Sequence, residues 1–176
     1  MPKTIRFKLS ASEITRAIKE VNAYRDSLQG KCELLCTELL NMGVSVASAK
    51  IGESPLGKYV AIRTTIKPKK NGCKAMLIAT GSTKETDYGS VNTLLLIEFG
   101  AGIHYNSLAN PKAGEFGMGV GTFPNQTHAF ESGWYYPTED GKWAWTQGTK
   151  ATMPMYSADI EMLMNIRRVA KTVFGS

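Results

Sequence analysis

The chain has 176 residues, of which 43% are hydrophobic and 20% charged, and its formal net charge is +6. These values are typical of a soluble globular protein, and the length fits a single domain over residues 1–176 that folds without disulfides or metal. No uninterrupted apolar run approaches the roughly 18 residues that span a bilayer, and the first residues have no signal-peptide region. We therefore expect a cytoplasmic protein without membrane partners.

A short strand and a long helix are predicted first. Residues 3–9 alternate between polar and apolar, which is typical of a half-buried strand. Ser10 and Glu13 have the spacing of a capping box, so a helix is predicted to begin there. Its apolar positions recur every seven residues until Met42, and Gly43 indicates its end. The stripe contains Ile14, Ile18, Val21, Leu28, Cys32, Leu35, Leu39 and Met42, and Arg25 interrupts it.

This stripe is narrow and has the 3.5-residue period of a coiled-coil seam. A helix of this length has more apolar edge than a small sheet covers. Two interpretations stay open: the stripe lies across the protein's own sheet, or part of it faces another subunit.

The three cysteines do not form a disulfide framework. Cys32 and Cys36 share one face of the long helix, Cys73 is distant in sequence, and His104 and His128 are the histidines that would complete a metal site. Zinc ligands usually come in close C-x-x-C pairs, which this chain lacks. We interpret the cysteines as buried, reduced core thiols and predict no metal and no cofactor.

A β-hairpin is predicted from strands 59–66 and 73–80, joined by a turn at 68–72 that contains Asn71-Gly72. Residues 58–74 contain six cations and no acid. These cations are candidate contacts for DNA or for an acidic protein surface, and the alternative is a solvated edge guarded by lysines. The six are Lys58, Arg63, Lys67, Lys69, Lys70 and Lys74.

The region from 81 to 148 is rich in glycine and has little periodicity. Residues 94–97 form an apolar run that fits either a buried strand or a helix end. Glycines between 114 and 121 predict a mobile loop; no Lys-Ser/Thr pair and no helix follow it, so it is not a phosphate-binding loop. Because His104 and His128 stand in no nucleophile or metal motif, we predict a protein without catalytic activity.

A second hairpin is predicted around the Asp140-Gly141 turn, which is flanked by five aromatic residues. Alternation places Trp134 and Tyr136 on the same face of the first strand. It also places Trp143 and Trp145 on the same face of the second strand. Core packing accounts for one face, and a partner is expected to cover the other. The candidate partner or oligomer contacts are therefore Trp134, Tyr136, Trp143 and Trp145.

A final amphipathic helix is predicted from about 155 to 173, with Pro154 before it. The predicted fold class is α+β: a long N-terminal helix and a C-terminal helix pack on an antiparallel sheet built from hairpins, with long Gly-rich loops.

Three segments resemble, in order and spacing, the tail-component family of siphophages, whose members are head–tail joining, neck or tail-completion proteins. Residues 96–103 resemble that family's hydrophobic-Glu-Phe-Gly-small-Gly segment. Residues 133–146 are similar to its aromatic hairpin, and residues 147–158 to the run that opens its last helix.

The resemblance implies a structural bacteriophage virion protein without catalysis, which joins tail to head as part of a homo-oligomeric ring. It implies a place at the neck or tail end of the virion, after assembly in the host cytoplasm. The implied partners are further copies of the chain, neighbouring head–tail connector, tail terminator or tail-tube proteins, and the DNA passing through the neck. The family-like structural motif comprises Glu98, Phe99, Gly100 and Pro154. The alternative function is a nucleic-acid-binding module that uses the basic hairpin 58–74.

Overall fold

A computed structural model describes residues 5–6, 8–70, 72–86, 89–104, 110–118, 131–138 and 140–175. The fold class is α+β, as predicted. Three short 3-10 helices cover Pro55–Tyr59, Gly102–His104 and Ala113–Phe116. The main elements are α1 (Ala11–Gly52), β1 (Val60–Lys69), β2 (Gly72–Gly81), β3 (Thr83–Thr86), β4 (Gly89–Asn92), α2 (Thr93–Phe99), β5 (Trp134–Pro137), β6 (Trp143–Thr146) and α3 (Pro154–Phe174).

Helix α1 begins where the sequence predicts it but continues nine residues past Gly43. Its 42 residues give a length of about 63 Å. A Cβ built on Gly43 would lie 2.8 Å from the Met162 Sδ of α3. Gly43 is therefore the point of close approach between two helices, and its interpretation as a helix end is wrong.

The N-terminus of α1 has half of the predicted capping box. The Ser10 hydroxyl accepts a hydrogen bond from the Glu13 N–H at 3.3 Å. The Glu13 carboxylate pairs with Arg16 at 3.1 Å, and the Ser10 N–H donates to the Lys8 carbonyl instead. The strand predicted at 3–9 does not form in its described part, residues 5–6 and 8–9. A single alternating segment forms no strand without a partner edge.

The β1–β2 hairpin lies along α1. Its register pairs Val60 with Gly81 and Lys69 with Gly72, so both strands are longer than predicted. Asn71, in the predicted turn, lies outside the described residues. The Gly72 carbonyl accepts a hydrogen bond from the Gln29 side-chain amide at 3.0 Å, which places the hairpin turn beside the middle of α1. The hairpin thus covers the C-terminal half of α1.

Helix α3 runs antiparallel to α1. The chain enters α3 beside α2, where the Thr152 and Met153 N–H groups both donate to the Ile97 carbonyl. Helix α2 contacts the 3-10 helix that follows α1, and further along α3 Met162 meets Gly43. Both helices rise about 1.5 Å per residue, so the C-terminal end of α3 lies beside about position 31 of α1. Residues 11–30 of α1 therefore extend beyond it.

Within the described residues, the strands form three separate two-stranded antiparallel sheets. The β3–β4 hairpin was not predicted, because its four-residue strands carry no clear alternation. The apolar run 94–97, left open between strand and helix, belongs to α2. Of the predicted glycine loop, Ala113–Phe116 forms a 3-10 helix and Gly117 a left-handed turn, whereas residues 119–121 lie outside the described part.

One stretch of α1 is long and apolar enough to cross a membrane, with an 18-residue window of mean hydropathy 1.2, of which 22% is buried. The prediction of no membrane span considered only uninterrupted apolar runs. The 18-residue window in α1 differs because it can include up to two charged residues. A helix that packs inside a soluble fold has the same composition, so this finding by itself is weak evidence for a membrane span.

Candidate functional site

The second predicted hairpin is present as β5–β6, and its register separates the aromatic residues into two faces. Trp134 lies opposite Thr146 and Tyr136 opposite Ala144 on one face. Tyr135 lies opposite Trp145, and Trp143 opposite Pro137, on the other face. The prediction that Trp134 and Tyr136 share a face, and that Trp143 and Trp145 share a face, is confirmed. The two tryptophans of β6 lie on the opposite face of the hairpin from Trp134.

The face that carries both β6 tryptophans is the open one. Trp143 is 69% exposed, Tyr135 62% and Trp145 49%. The Tyr135 and Trp145 rings contact edge to face, with centroids 4.9 Å apart. Tyr135 is not among the contacts predicted from sequence, although its position between Trp134 and Tyr136 places it opposite Trp145 once the turn of the hairpin is known. We call Tyr135, Trp143 and Trp145 the aromatic face.

Trp134 has a different role from the other candidates. A Cβ built on Gly102 would lie 2.5 Å from the Trp134 ring, so the indole packs directly on that glycine. Gly102 has φ +64 and cannot take a side chain without strain. Trp134 therefore attaches the hairpin to the segment after α2, whereas Tyr136 is 43% exposed.

The three segments that carry the family resemblance form one unit. Ala101 and Thr149 exchange two backbone hydrogen bonds, of 2.9 and 3.2 Å, and the Ile103 N–H donates to the Gln147 carbonyl at 3.1 Å. Gly100 ends α2 with φ +77, and Pro154 occupies the first turn of α3. The strand-like contact thus joins the Glu-Phe-Gly segment to the linker between the aromatic hairpin and α3.

Glu98 is a buried carboxylate, 6% exposed, at the centre of this unit. It accepts hydrogen bonds from the backbone N–H groups of Met155 and Tyr156, both at 2.9 Å, and from the Asn110 amide at 3.0 Å. Three donors satisfy the group, so its arrangement is that of a structural cap.

The basic hairpin has a cationic outer face. Leu77 contacts the Gly43 region of α1, so alternate residues of both strands point away from α1. Lys67 and Lys74 are directly opposite each other on this outer face, and neither forms an ion pair with a described acid. The register places four cations on it: Arg63, Lys67, Lys69 and Lys74.

The other two predicted cations lie at the ends of the hairpin. Lys58 is exposed in the 3-10 helix before β1, and its Nζ is 4.9 Å from the centroid of the Tyr59 ring. Lys70 is exposed in the turn. The cationic outer face is therefore smaller than the set of six predicted from sequence.

The cysteines are free and half-buried, and the expectation of fully buried thiols is wrong. Cys73 lies on the side of β2 that faces α1, one residue beyond the Gln29–Gly72 hydrogen bond, and Cys32 and Cys36 are on the same side of α1. Burial raises the pKa of the Cys36 thiol to about 11, and the nearby Cys73 thiol adds to this effect. Within the part of the chain that the structure describes, no group of three His, Cys, Asp or Glu could hold a metal ion.

The predicted histidines are not brought together in the described structure. His104 is exposed at the end of a 3-10 helix, and His128 lies outside the described residues. Asp140, at the tip of the aromatic hairpin, accepts a hydrogen bond from the Thr138 hydroxyl and pairs with Lys142 at 3.1 Å. These contacts lower the pKa of Asp140, the Thr138 bond most strongly.

Comparison with protein-family models, with curated proteins and with solved structures gives no match for this chain.

Proposed function

We propose that this protein is a structural subunit of a bacteriophage virion, a neck or tail-completion protein that acts in a ring joining tail to head and has no catalytic role. Its partners are further copies of the chain and the neighbouring connector, tail terminator or tail-tube proteins. The resemblance of three segments to the siphophage tail-component family supports this proposal. So does their packing into one unit through Glu98, Gly102 and Trp134.

The observation that carries the proposal is the amount of surface left uncovered. The whole chain exposes 12031 Å², whereas a compact monomer of 19.2 kDa exposes about 8,400 Å². The excess of about 3,600 Å² includes exposed apolar side chains on the N-terminal half of α1, on α3 and on the aromatic face, and obligate assemblies bury areas of this order. A subunit that contacts a neighbour on each side in a ring covers surface of this size.

The uncovered surface is apolar in three places. Large hydrophobic side chains are exposed on the aromatic face, on the N-terminal half of α1 and on the outer side of α3. Apolar patches of this extent on soluble proteins usually mark interaction sites. Tyrosine and tryptophan in particular anchor protein interfaces.

Two experiments test this function. The first measures the mass of the purified protein in solution, alone and mixed with head and tail proteins from the same gene cluster. A ring, or a monomer that enters a head–tail complex, supports the proposal.

The second experiment removes the gene from the phage: filled heads and complete tails should then accumulate separately. Normal virions from the deletion would overturn the proposal.

A nucleic-acid-binding module is the second candidate, and the cationic outer face of the β1–β2 hairpin favours it. If the four cations of that face each contact a phosphate, the slope of log K against log salt concentration is about −3.6 for duplex DNA. A chain that ignores the head and tail proteins but binds DNA with this salt dependence would replace the first proposal.

A further inference from the structure

The N-terminal half of α1 presents an apolar stripe that the described fold leaves uncovered. Val21 is 54% exposed and Ile18 56%. Among residues 11–28 only Ala17 is buried. Helix α3 ends near position 31, and the turn of the basic hairpin lies beside Gln29, so neither element extends over this segment.

A second uncovered apolar surface runs along α3. Leu163 is 58% exposed and Ile166 43%. Together with Asp159 they form one wall of a shallow groove, whose floor is α1 near Leu39 and whose other wall is β2 near Ala75. This groove is apolar apart from the carboxylate at one end.

The two surfaces match in the spacing of their apolar positions, and the uncovered segment of α1 is no longer than helix α3. The uncovered segment of α1 is about 27 Å long, and α3 is about 31 Å long. Along α1 the stripe positions follow steps of four, three and four residues. Along α3, read in the opposite direction, Ala170 beyond the groove and then Ile166, Leu163 and Asp159 in its wall follow the same steps. An antiparallel alignment pairs Ile14 with Ala170, Ile18 with Ile166, Val21 with Leu163, and Arg25 with Asp159.

The charged pair in this alignment explains the one interruption of the stripe. Arg25 is the cation at a seam position, and Asp159 is the acid on the matching face of α3. Among the described residues Arg25 forms an ion pair with its neighbour Asp26 alone, at 3.2 Å, and both side chains are 69% exposed. An ion pair so exposed contributes little, so exchanging it for Asp159 of another copy costs little.

We propose that residues 11–28 of α1 in one copy dock antiparallel into the groove along α3 of a second copy of this chain, with Arg25 opposite Asp159. Each copy then provides one surface and binds its neighbour through another, which is the head-to-tail type of contact that forms a ring when its rotation closes. The inference rests on the proposed assembly and names the contact that makes it. A parallel pairing of two α1 helices about a twofold axis is disfavoured, because it would place the two Arg25 side chains opposite each other.

Charge reversal tests the register. Arg25→Asp and Asp159→Arg should each raise the dissociation constant for self-association of the full chain about tenfold or more. The double variant should restore it to near the wild-type value. Lys19→Glu makes the same change of charge on the same helix but off the stripe, and it should have no effect. Sedimentation velocity over a concentration series measures all four, and a double variant as weak as the single ones would overturn the register.

Mixing two variants tests the head-to-tail contact itself. Val21→Glu removes the α1 surface and Leu163→Glu the α3 surface, and each variant alone should be monomeric. Both positions are more than half exposed, so circular dichroism should show native folding. An equimolar mixture should form heterodimers, because one intact surface remains on each copy. A monomeric mixture, or self-association that survives either change, overturns the proposal.

The outcomes separate this inference from the proposed function. A wild-type chain that stays monomeric at every concentration and in complex with its neighbours overturns the α1–α3 contact. Self-association through this contact, in a protein that ignores the head and tail proteins, supports the contact and overturns the neck or tail-completion role.

Discussion

The Glu98 carboxylate caps the first turn of α3, with Oε2 accepting a hydrogen bond from the Met155 N–H at 2.9 Å. Position Met153, where a helix normally carries its own capping side chain, has φ +52 and makes no side-chain cap. A carboxylate 57 residues away in sequence therefore satisfies the free N–H groups and complements the helix dipole. This bond fixes where α3 begins relative to α2 and the aromatic hairpin.

Replacing Glu98 with Ala should lower the free energy of unfolding by about 2–4 kcal/mol, because three buried donors lose a charged acceptor. Glu98→Gln keeps one acceptor oxygen and should cost about half as much. Urea unfolding followed by circular dichroism measures both variants. The control is Glu38→Gln on the exposed side of α1, for which we expect less than about 0.5 kcal/mol. Equal effects at Glu98 and Glu38 would contradict the capping role.

Substitution by alanine should change the stability of the protein in opposite directions at Gly148 and Gly30. Gly148 has φ +103, and a Cβ there would meet the Ala101 carbonyl oxygen. Gly148→Ala should therefore destabilise the protein by about 3 kcal/mol or more. Gly30 lies in the exposed middle of α1 with open space around it, and Gly30→Ala should stabilise by about 0.5–1 kcal/mol. Thermal unfolding of the two variants checks both signs.

The elements that sequence predicted correctly are those with a local cause. The period of seven and Ser10 locate the start of α1, and Asp140-Gly141 locates the turn of the aromatic hairpin. Each of these signals acts within a few residues. Sequence alone was therefore sufficient for the fold class, both long helices and two of the three hairpins.

The features that sequence missed depend on distant contacts. Gly43 looks like a helix end until Met162 of α3 is seen against it, and Glu98 looks like part of a turn until α3 is placed on it. Likewise, the four outward cations can be separated from Lys58 and Lys70 only once the register is known. One residue of slip would reverse the two faces of a hairpin.

Alanine substitutions at Trp143 and Trp134 should distinguish an effect on partner binding from an effect on the free energy of unfolding. Trp143 is largely exposed and makes no described ring contact, so Trp143→Ala should change the free energy of unfolding by less than about 0.5 kcal/mol. The same substitution at Trp134 removes the packing on Gly102 and should cost about 3 kcal/mol. Under the proposed function, only Trp143→Ala yields a stable protein that binds its head or tail neighbour more weakly. Unchanged binding by this variant would exclude Trp143 from the contact.

The raised pKa of Cys36 should make stability fall at high pH. Its ordinary value is 9.0 and its folded value about 11, so the folded state keeps a proton that the unfolded state loses in this interval. The stability that this group contributes is fully present below pH 9 and is lost as the pH rises to about 11. Solvent screening of the half-buried thiol limits the loss to the order of 1–2 kcal/mol. Cys36→Ser removes the titration, so the difference between the two unfolding curves, measured with reductant, should decline over that range. A constant difference would contradict the raised pKa.

Lys74→Glu should strengthen the basic hairpin while weakening its electrostatic binding. Lys67 and Lys74 are like charges directly opposite each other on an exposed face, an arrangement that destabilises a strand pair. A glutamate at position 74 converts this into an attractive pair and should raise the free energy of unfolding by about 0.5–1 kcal/mol. The same change should weaken binding to DNA or to an acidic neighbour and reduce its salt dependence. Lys150→Glu alters net charge equally from an exposed site outside the hairpin and should leave stability unchanged. If both variants weaken binding alike, net charge rather than the cationic outer face accounts for the attraction.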